Sequence, residues 1–343
     1  MKLLVTGGAG FIGTNFVRYW VDKYPEDEIV VLDKLTYAGH KENFSDLPIE
    51  LVVGDICDPE VVSQAMADTE VVVHFAAETH VDRSVIGPDA FIQTNVVGTK
   101  VLLQAALQSG VKLFHHISTD EVFGHLPLNR PDLKFNETTS YDPSSPYSAA
   151  KASSDHLVRA WHRTFGLPVT ITNTSNNYGA YQDPEKLIPR FVTNLLIGKK
   201  VPLMGKGENV RDWIHVFDHA QAVDLIIHAA LKKPQVIGET FCVGGNSERT
   251  NYQVTQEILK ILKKDESWIE HIEHRLGHDA RYAIDSTKIK EVLGWEPSHS
   301  FEEWLPKTVK WYQENEWWWR PLKEGRPLID PEDQQKLLKS KEK

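Results

Sequence analysis

Cysteine is scarce. The 343 residues hold two, Cys57 and Cys242, and neither sits in a Cys-x-x-Cys pair. The spacing therefore suggests no zinc site and no vicinal redox couple, and no metal is expected. One disulfide between them stays open, but two reduced, buried thiols in a cytoplasmic protein is the plainer reading. Long apolar runs are missing as well. Nothing approaches the ~20 residues of a membrane span, and Met1-Lys2-Leu3-Leu4-Val5 turns glycine-rich too soon for a signal-peptide core. Basic excess is also absent: 38 Lys and Arg face 48 Asp and Glu, a net charge of −10. That is the wrong sign for a general nucleic-acid binder. It does not exclude an anionic small substrate, because a few arginines and helix N-termini make one cleft locally positive. There is no internal repeat and no low-complexity stretch.

What is present is a rhythm of short apolar strands, each followed by a helical pattern. Leu3–Val5, Ile29–Leu32, Leu51–Val53, Val71–Phe75, Leu113–Ser118 and Val169–Thr172 read as strands without alternation. Helices are expected after Gly13, at Val96–Gln108 and at Pro146–Phe165. This pattern means a doubly wound α/β fold, a parallel sheet covered on both faces. After Asn173 the rhythm breaks. A helix at His219–Leu231 and a strand at Glu239–Val243 then return to the sheet. The expected division is a dinucleotide-binding domain, 1–175 plus about 212–245, and a smaller, mostly helical substrate domain, about 176–211 plus 246–343. The charged end, Lys336 to Lys343, reads as a solvated tail.

The first strand runs into Thr6-Gly7-Gly8-Ala9-Gly10-Phe11-Ile12-Gly13. Gly8, Gly10 and Gly13 fit GxGxxG, with a strand before and a helix after, as the phosphate-binding mechanism requires. Glycines allow a tight turn and close approach of a pyrophosphate, which the helix N-terminus then receives. Asp33 ends the second strand 20 residues after Gly13. A carboxylate there accepts from ribose hydroxyls and repels a 2′-phosphate, favouring NAD over NADP. Asp55 and Ile56 after the third strand suit the adenine edge, although a loop acid is as often merely solvated. Ala76 and Ala77 leave room for a cofactor against the fourth strand, or for tight packing.

Ser145 and Pro146 start a helix on which Tyr147 and Lys151 share one face. A free tyrosine is a poor base near neutrality. A nearby ammonium and a positive nicotinamide ring stabilise its phenolate, so the pair suits removal of a hydroxyl proton as hydride leaves. Thr119, Asp120 and Glu121 follow the fifth strand, at the carboxyl edge where such sheets bind ligands. Alone, Asp120 could as well cap a turn.

The chain resembles the extended short-chain dehydrogenase/reductases, and within them the dTDP-glucose 4,6-dehydratases, over about residues 1–320. The resemblance rests on GGAGFIG at 7–13, HVDRS at 80–84, STDEV at 118–122, YSAAKASSD at 147–155, NNYGAYQDPEKLIPR at 176–190, RDW at 211–213 and GHDARYAID at 277–285. STDEV discriminates, since related epimerases lack its paired acids. The resemblance implies that Tyr147 is the base for the sugar 4-hydroxyl, with Lys151 supporting it and Thr119 hydrogen-bonding nearby. It makes Glu121 the base at C5 and Asp120 the acid for the departing C6 hydroxyl. Asp120 is then expected protonated and Glu121 ionised, two acids set apart by their environment. The implied NAD site comprises Gly7, Gly10, Phe11, Ile12, Gly13, Asp33, Lys34, Thr36, Asp55, Ile56, Ala76, Ala77, Thr79, Thr94, Tyr147, Lys151 and Asn177. The implied nucleotide-sugar site comprises Thr79, Thr119, Asn176, Lys186, Leu187, Arg211, Asn246, Arg275 and His278. Arg211 suits a diphosphate, since a guanidinium binds phosphate oxygens in pairs; the bland alternative is an ion pair with Asp212. A homodimer is implied, joined in a four-helix bundle by the Val96–Gln108 helix and the Tyr147 helix. The chain departs from the family pattern at Phe123, Ala180, Asp183, His274, Ala280 and Trp304, none of them a proposed catalytic group. Trp317-Trp318-Trp319 reads as packing rather than a base-stacking platform.

Overall fold

The computed structural model describes residues 1–274 and 277–325. Its strands are β1 (Lys2–Thr6), β2 (Glu28–Asp33), β3 (Glu50–Val53), β4 (Val71–His74), β5 (Leu113–Thr119) and β6 (Val169–Thr174). They continue with β7 (Asn176–Tyr178), β8 (Val201–Met204), β9 (Val210–His215), β10 (Thr240–Val243), β11 (Glu248–Thr250) and β12 (Ile269–Ile272). Seven of these form one parallel sheet in the order β10-β6-β5-β4-β1-β2-β3. The order reverses between β1 and β4, which opens a crevice above their carboxyl ends. The expected doubly wound fold is therefore present.

The apolar strand runs form because both faces are covered. In β1, Leu3 and Val5 pack with Phe16, Trp20, Val223 and Ile227 on one side. Leu4, between them, faces Leu102, Ala106 and Val158 on the other. A third apolar cluster lies later in the chain and joins Tyr178, Ile188, Phe191, Val254, Phe301, Trp318 and Trp319. Trp318 donates to Asn43 Oδ1 at 2.8 Å and Trp319 to the Tyr312 carbonyl at 2.6 Å. These two are packing groups as expected; Trp317 is exposed. Both cysteines are free thiols, Cys242 buried and Cys57 half-buried.

Helix Pro146–Phe165 matches its expected limits. Ser145 and Ser148 form a reciprocal cap, and Gly166 ends the helix in the left-handed region (φ 73°). The helix expected to begin at Val96 differs. Helical backbone starts at Pro88, and Ile92–Gly98 is a π-helical stretch leading into the α-helix Thr99–Ser109. Asn95 in that stretch accepts from Glu78 N at 2.9 Å and donates to Glu78 O at 3.0 Å. The wider turn thus ties the helix to the loop after β4 and interrupts the 3.6-residue period that sequence reading relies on. Among the described residues no helix is long and apolar enough to cross a membrane.

Candidate active site

The loop after β1 is shaped by close contact. Gly7 has a φ of 69°, and a Cβ there would lie 2.4 Å from Ala76 N. A Cβ on Gly13 would lie 2.4 Å from the Gly7 carbonyl. Helix Phe11–Lys23 starts with no side-chain cap and no acid in its first turn, so its amides and positive dipole end face the crevice. Asp33 is buried at the end of β2. Its two oxygens accept from Ala9 N (2.9 Å) and Leu35 N (2.8 Å). Burial raises its pKa and the two amide bonds oppose that rise. It thereby shapes a turn, yet it also lines the crevice, and each oxygen keeps a lone pair for a hydroxyl. Lys34 pairs with Asp55 at 2.7 Å beside it. An anion-receiving helix end, a glycine cradle that no side chain would fit, and an acid at the strand end together suit a dinucleotide.

All of the expected cofactor residues line this one cleft, which encloses about 310 Å³. The same cleft reaches Thr119, Asp120, Glu121, Tyr147 and Lys151. β5 and β6 pair in register through Thr119–Thr174, which fixes the strand end beside helix Pro146–Phe165. There the chain turns sharply through one 3-10 turn, Asp120–Phe123. The Thr119 hydroxyl caps Glu121 N at 3.3 Å. Gly124 (φ 85°) closes the turn, because a Cβ would lie 2.5 Å from the Asp142 carbonyl.

Burial separates the acids. Asp120 is 2% exposed and its Oδ2 has no hydrogen-bond partner. Burial, then the charges of Glu121 and Asp212, raise its pKa well above the carboxylate range, with Arg211 opposing. The environment of Asp120 thus favours its protonated form. At Tyr147 the protein groups act against the phenolate. Burial and the charge of Glu121 push its phenol well above the ordinary value, and a hydrogen bond with Thr119 offsets only part. The Lys151 ammonium instead donates to the Ile117 carbonyl at 2.7 Å, and burial lowers its own pKa to about 8. Protein groups alone thus leave Tyr147 a phenol. Desolvation of a phenolate outweighs one amine turned toward a backbone carbonyl.

A second cavity of about 180 Å³ adjoins the cleft at Glu121. Thr79, Asn176, Lys186, Leu187, Arg211 and His278, all expected at the sugar nucleotide, line it. The Arg211 guanidinium is buried over the Tyr282 ring (4.3 Å) and donates to the carbonyls of Val210 and Asp279. The alternative pair with Asp212 does not form. Successive side chains of β9 face opposite ways, and Asp212 accepts from Ser247 N instead. Asn246 is not brought to either cavity: it is an exposed loop residue (φ 51°) whose Oδ1 accepts from Lys134 Nζ at 3.4 Å. Arg275 lies outside the described residues. Sequence reading missed Arg190, Trp213 and Asn251, which also line the second cavity. Trp213 Nε1, Asn176 Oδ1 and Asn251 Oδ1 there are buried without a hydrogen-bond partner, as befits a site for a polar ligand. Arg190 and Trp213 end the stretches 176–190 and 211–213 and Asn251 lies outside both; they come from the helix Leu187–Leu196, β9 and the helix Asn251–Ile261, which only folding brings to one cavity.

A family model described as GDP-mannose 4,6 dehydratase matches residues 4–308. The dTDP-glucose 4,6-dehydratase of Mycobacterium tuberculosis (strain ATCC 25618 / H37Rv) is 51% identical over 328 residues, spanning 95% of this chain and 97% of that protein. The chain belongs to the dTDP-glucose 4,6-dehydratase family. Another member, dTDP-glucose 4,6-dehydratase 1 of Escherichia coli (strain K12), is 49% identical over 353 residues, with 95% and 96% coverage. Among solved structures, the dTDP-glucose 4,6-dehydratase DesIV of Streptomyces venezuelae, which contains NAD, superposes with a TM-score of 0.89. It shares 46% identity over 94% of this chain and 100% of its own. Membership of this dehydratase family accords with the paired acids beside Tyr147 and Lys151.

Proposed function

We propose that this chain is an NAD-dependent hydro-lyase that converts dTDP-glucose to dTDP-4-keto-6-deoxyglucose, a step of deoxysugar biosynthesis. One observation carries the reading: a buried acid and a second carboxylate, Asp120 and Glu121, share one cleft with Tyr147 and Lys151. The whole-length similarity to dTDP-glucose 4,6-dehydratases supports it. NAD, held by the Gly7–Gly13 loop, Asp33 and Lys151, supplies the hydride acceptor for C4 and the hydride donor for C6. Tyr147, whose phenolate the positive nicotinamide ring of bound NAD would stabilise where the protein groups alone do not, takes the 4-hydroxyl proton, with Thr119 beside it. The resulting 4-ketone acidifies C5–H, and Glu121 removes that proton. Asp120, kept protonated by burial, gives its proton to the departing C6 hydroxyl, which leaves as water. Glu121 returns its proton to C5 as C6 is reduced, so the cofactor ends as it began. Arg211 holds the diphosphate electrostatically.

We also propose a domain division, a location and an assembly for the protein. Residues 1–175 with about 212–245 form the NAD domain, and the remainder holds the nucleotide sugar; the separate later apolar cluster supports this division. The protein is a cytoplasmic homodimer. Ile92, Val97 and Phe165 are exposed apolar residues on the two helical segments that would build a four-helix bundle, and two free thiols suit a reducing compartment. The nearest competing readings are the same chemistry on UDP- or CDP-glucose and a C4-epimerase, which needs Tyr147 but neither acid. Purified protein given dTDP-glucose should yield a 4-keto-6-deoxy sugar with no net reduced nicotinamide. Appearance of the galactose epimer alone would refute the dehydratase reading, and a panel of dTDP-, UDP- and CDP-glucose decides the nucleobase.

A further inference from the structure

Behind the reacting groups lies a buried carboxylate that no step above uses. Asp155 is fully buried, one helical turn beyond Lys151 and two beyond Tyr147 on the same helix. Its Oδ2 accepts from Ser118 Oγ at 2.8 Å, Tyr141 OH at 2.7 Å and Asn173 Nδ2 at 3.3 Å. The same Asn173 amide donates to the Thr119 carbonyl at 3.1 Å. Ser118 lies between Ile117, whose carbonyl receives Lys151, and Thr119, which caps the acid turn. Through Ser118 and Asn173 this carboxylate thus joins the Tyr147 helix to the end of β5, alongside the direct bonds of Lys151 to Ile117 and of Tyr147 to Thr119. On its other side, His116 Nε2 lies 3.1 Å from Oδ1 and 3.2 Å from Ser154 Oγ, shared between the two.

We propose that Asp155 is the positioning residue of this active site: it locks the Thr119–Glu121 strand end to the Tyr147 helix and keeps Lys151 an ammonium ion. The inference rests on the dehydratase reading. The titratable and charged groups around Lys151 are Tyr147 and Asp155 on its own helix, His116 on β5 and His74 on β4. Asp120 and Glu121 lie beyond them at the strand end, and Tyr141 and Arg159 lie behind Asp155. Burial lowers both histidines, His116 to about 4, so they are neutral near pH 7. The charge that offsets burial of Lys151 is that of Asp155. A buried ammonium without that compensation gives up its proton at lower pH.

The test is Asp155→Asn, a near-isosteric change that removes the charge. The rate of C4 oxidation should lose its alkaline limb at least about one pH unit earlier than in the native enzyme, about fivefold in rate at the native midpoint and approaching tenfold above it. KM should hold, and the variant-to-native rate ratio should recover as pH falls. Independently of turnover, NMR of isotope-labelled lysine should show Lys151, assigned with Lys151→Met, titrating lower by a similar amount. Tyr141→Phe keeps the charge and should leave both titrations in place. A pH-independent rate ratio, an unmoved Lys151 titration, or an equal shift in Tyr141→Phe would each overturn the proposal. If Asp155→Asn loses the fold, Asp155→Glu serves instead: Lys151 should still titrate as in the native protein, and a displacement of a full unit overturns the proposal. A native enzyme that leaves dTDP-glucose unchanged would instead refute the function itself.

Discussion

Replacing Glu121 by Gln separates the two halves of the reaction. Loss of a general base typically costs about 10²–10⁴ in rate, so elimination and exchange of the C5 hydrogen with solvent should fall by that factor. Oxidation at C4 should continue, because it depends on Tyr147. The structure adds a second, less obvious effect. The Glu121 charge is the strongest charge acting on both Tyr147 and Asp120, and it raises both pKa values. Removing it lowers the Tyr147 pKa, so the phenolate becomes available at lower pH. The acidic limb of C4 oxidation should therefore move down, by about one pH unit for each 1.4 kcal/mol of repulsion relieved. The assay is a single turnover followed by nicotinamide absorbance, with mass spectrometry of C5 deuterium uptake. Reduced cofactor should build up and persist without deuterium at C5. Full turnover within tenfold of native, or an oxidation limb that stays put or rises, would refute the role of Glu121 and the electrostatic coupling respectively.

Three further outcomes are expected. Gly13→Ala places a Cβ 2.4 Å from the Gly7 carbonyl and 2.7 Å from Gly8 Cα, both backbone. The loop must shift, and NAD affinity by fluorescence titration should fall more than about tenfold, a cost of ~1.4 kcal/mol or more. Arg211→Met removes a buried guanidinium from the second cavity. Hydrogen bonds to charged groups contribute about 1.5–3 kcal/mol, so KM should rise on the order of 10- to 150-fold while kcat changes less. His219 is buried, paired with Asn177 Oδ1 at 3.1 Å, and burial lowers its pKa from 6.5 to about 3. Between those values the unfolded chain binds the extra proton, so this histidine's contribution to stability is lost as pH falls. From pH 6.5 to 5 the loss is about 2 kcal/mol. Urea unfolding of His219→Asn should show a correspondingly flatter pH slope, and an unchanged slope would contradict it.

Much of the dinucleotide half was legible because its signals are local. Strand, glycine turn, helix and strand-end acid lie within Lys2–Asp33, and each needs only its neighbours to be recognised. The limits of Pro146–Phe165 were legible for the same reason, written by Ser145, Pro146 and Gly166. The π-helical stretch was not, because what holds it is Asn95 bonding to Glu78 across the fold. That Asn246 lines neither cavity was not legible either, because a family position says nothing of a side chain that Lys134 engages from a distant loop.

By itself, then, the sequence determined the fold class, the order of its elements and the chemical inventory of the cleft: residue types, spacing and patterning suffice for those. Only the tertiary structure decided the state of that inventory. It buried Asp120 so that its proton is held more tightly, set protein groups against the Tyr147 phenolate, turned Lys151 toward Ile117 and set Asp155 behind them. A pKa follows from desolvation and from charges brought close in space, and neither is a property of position along a chain.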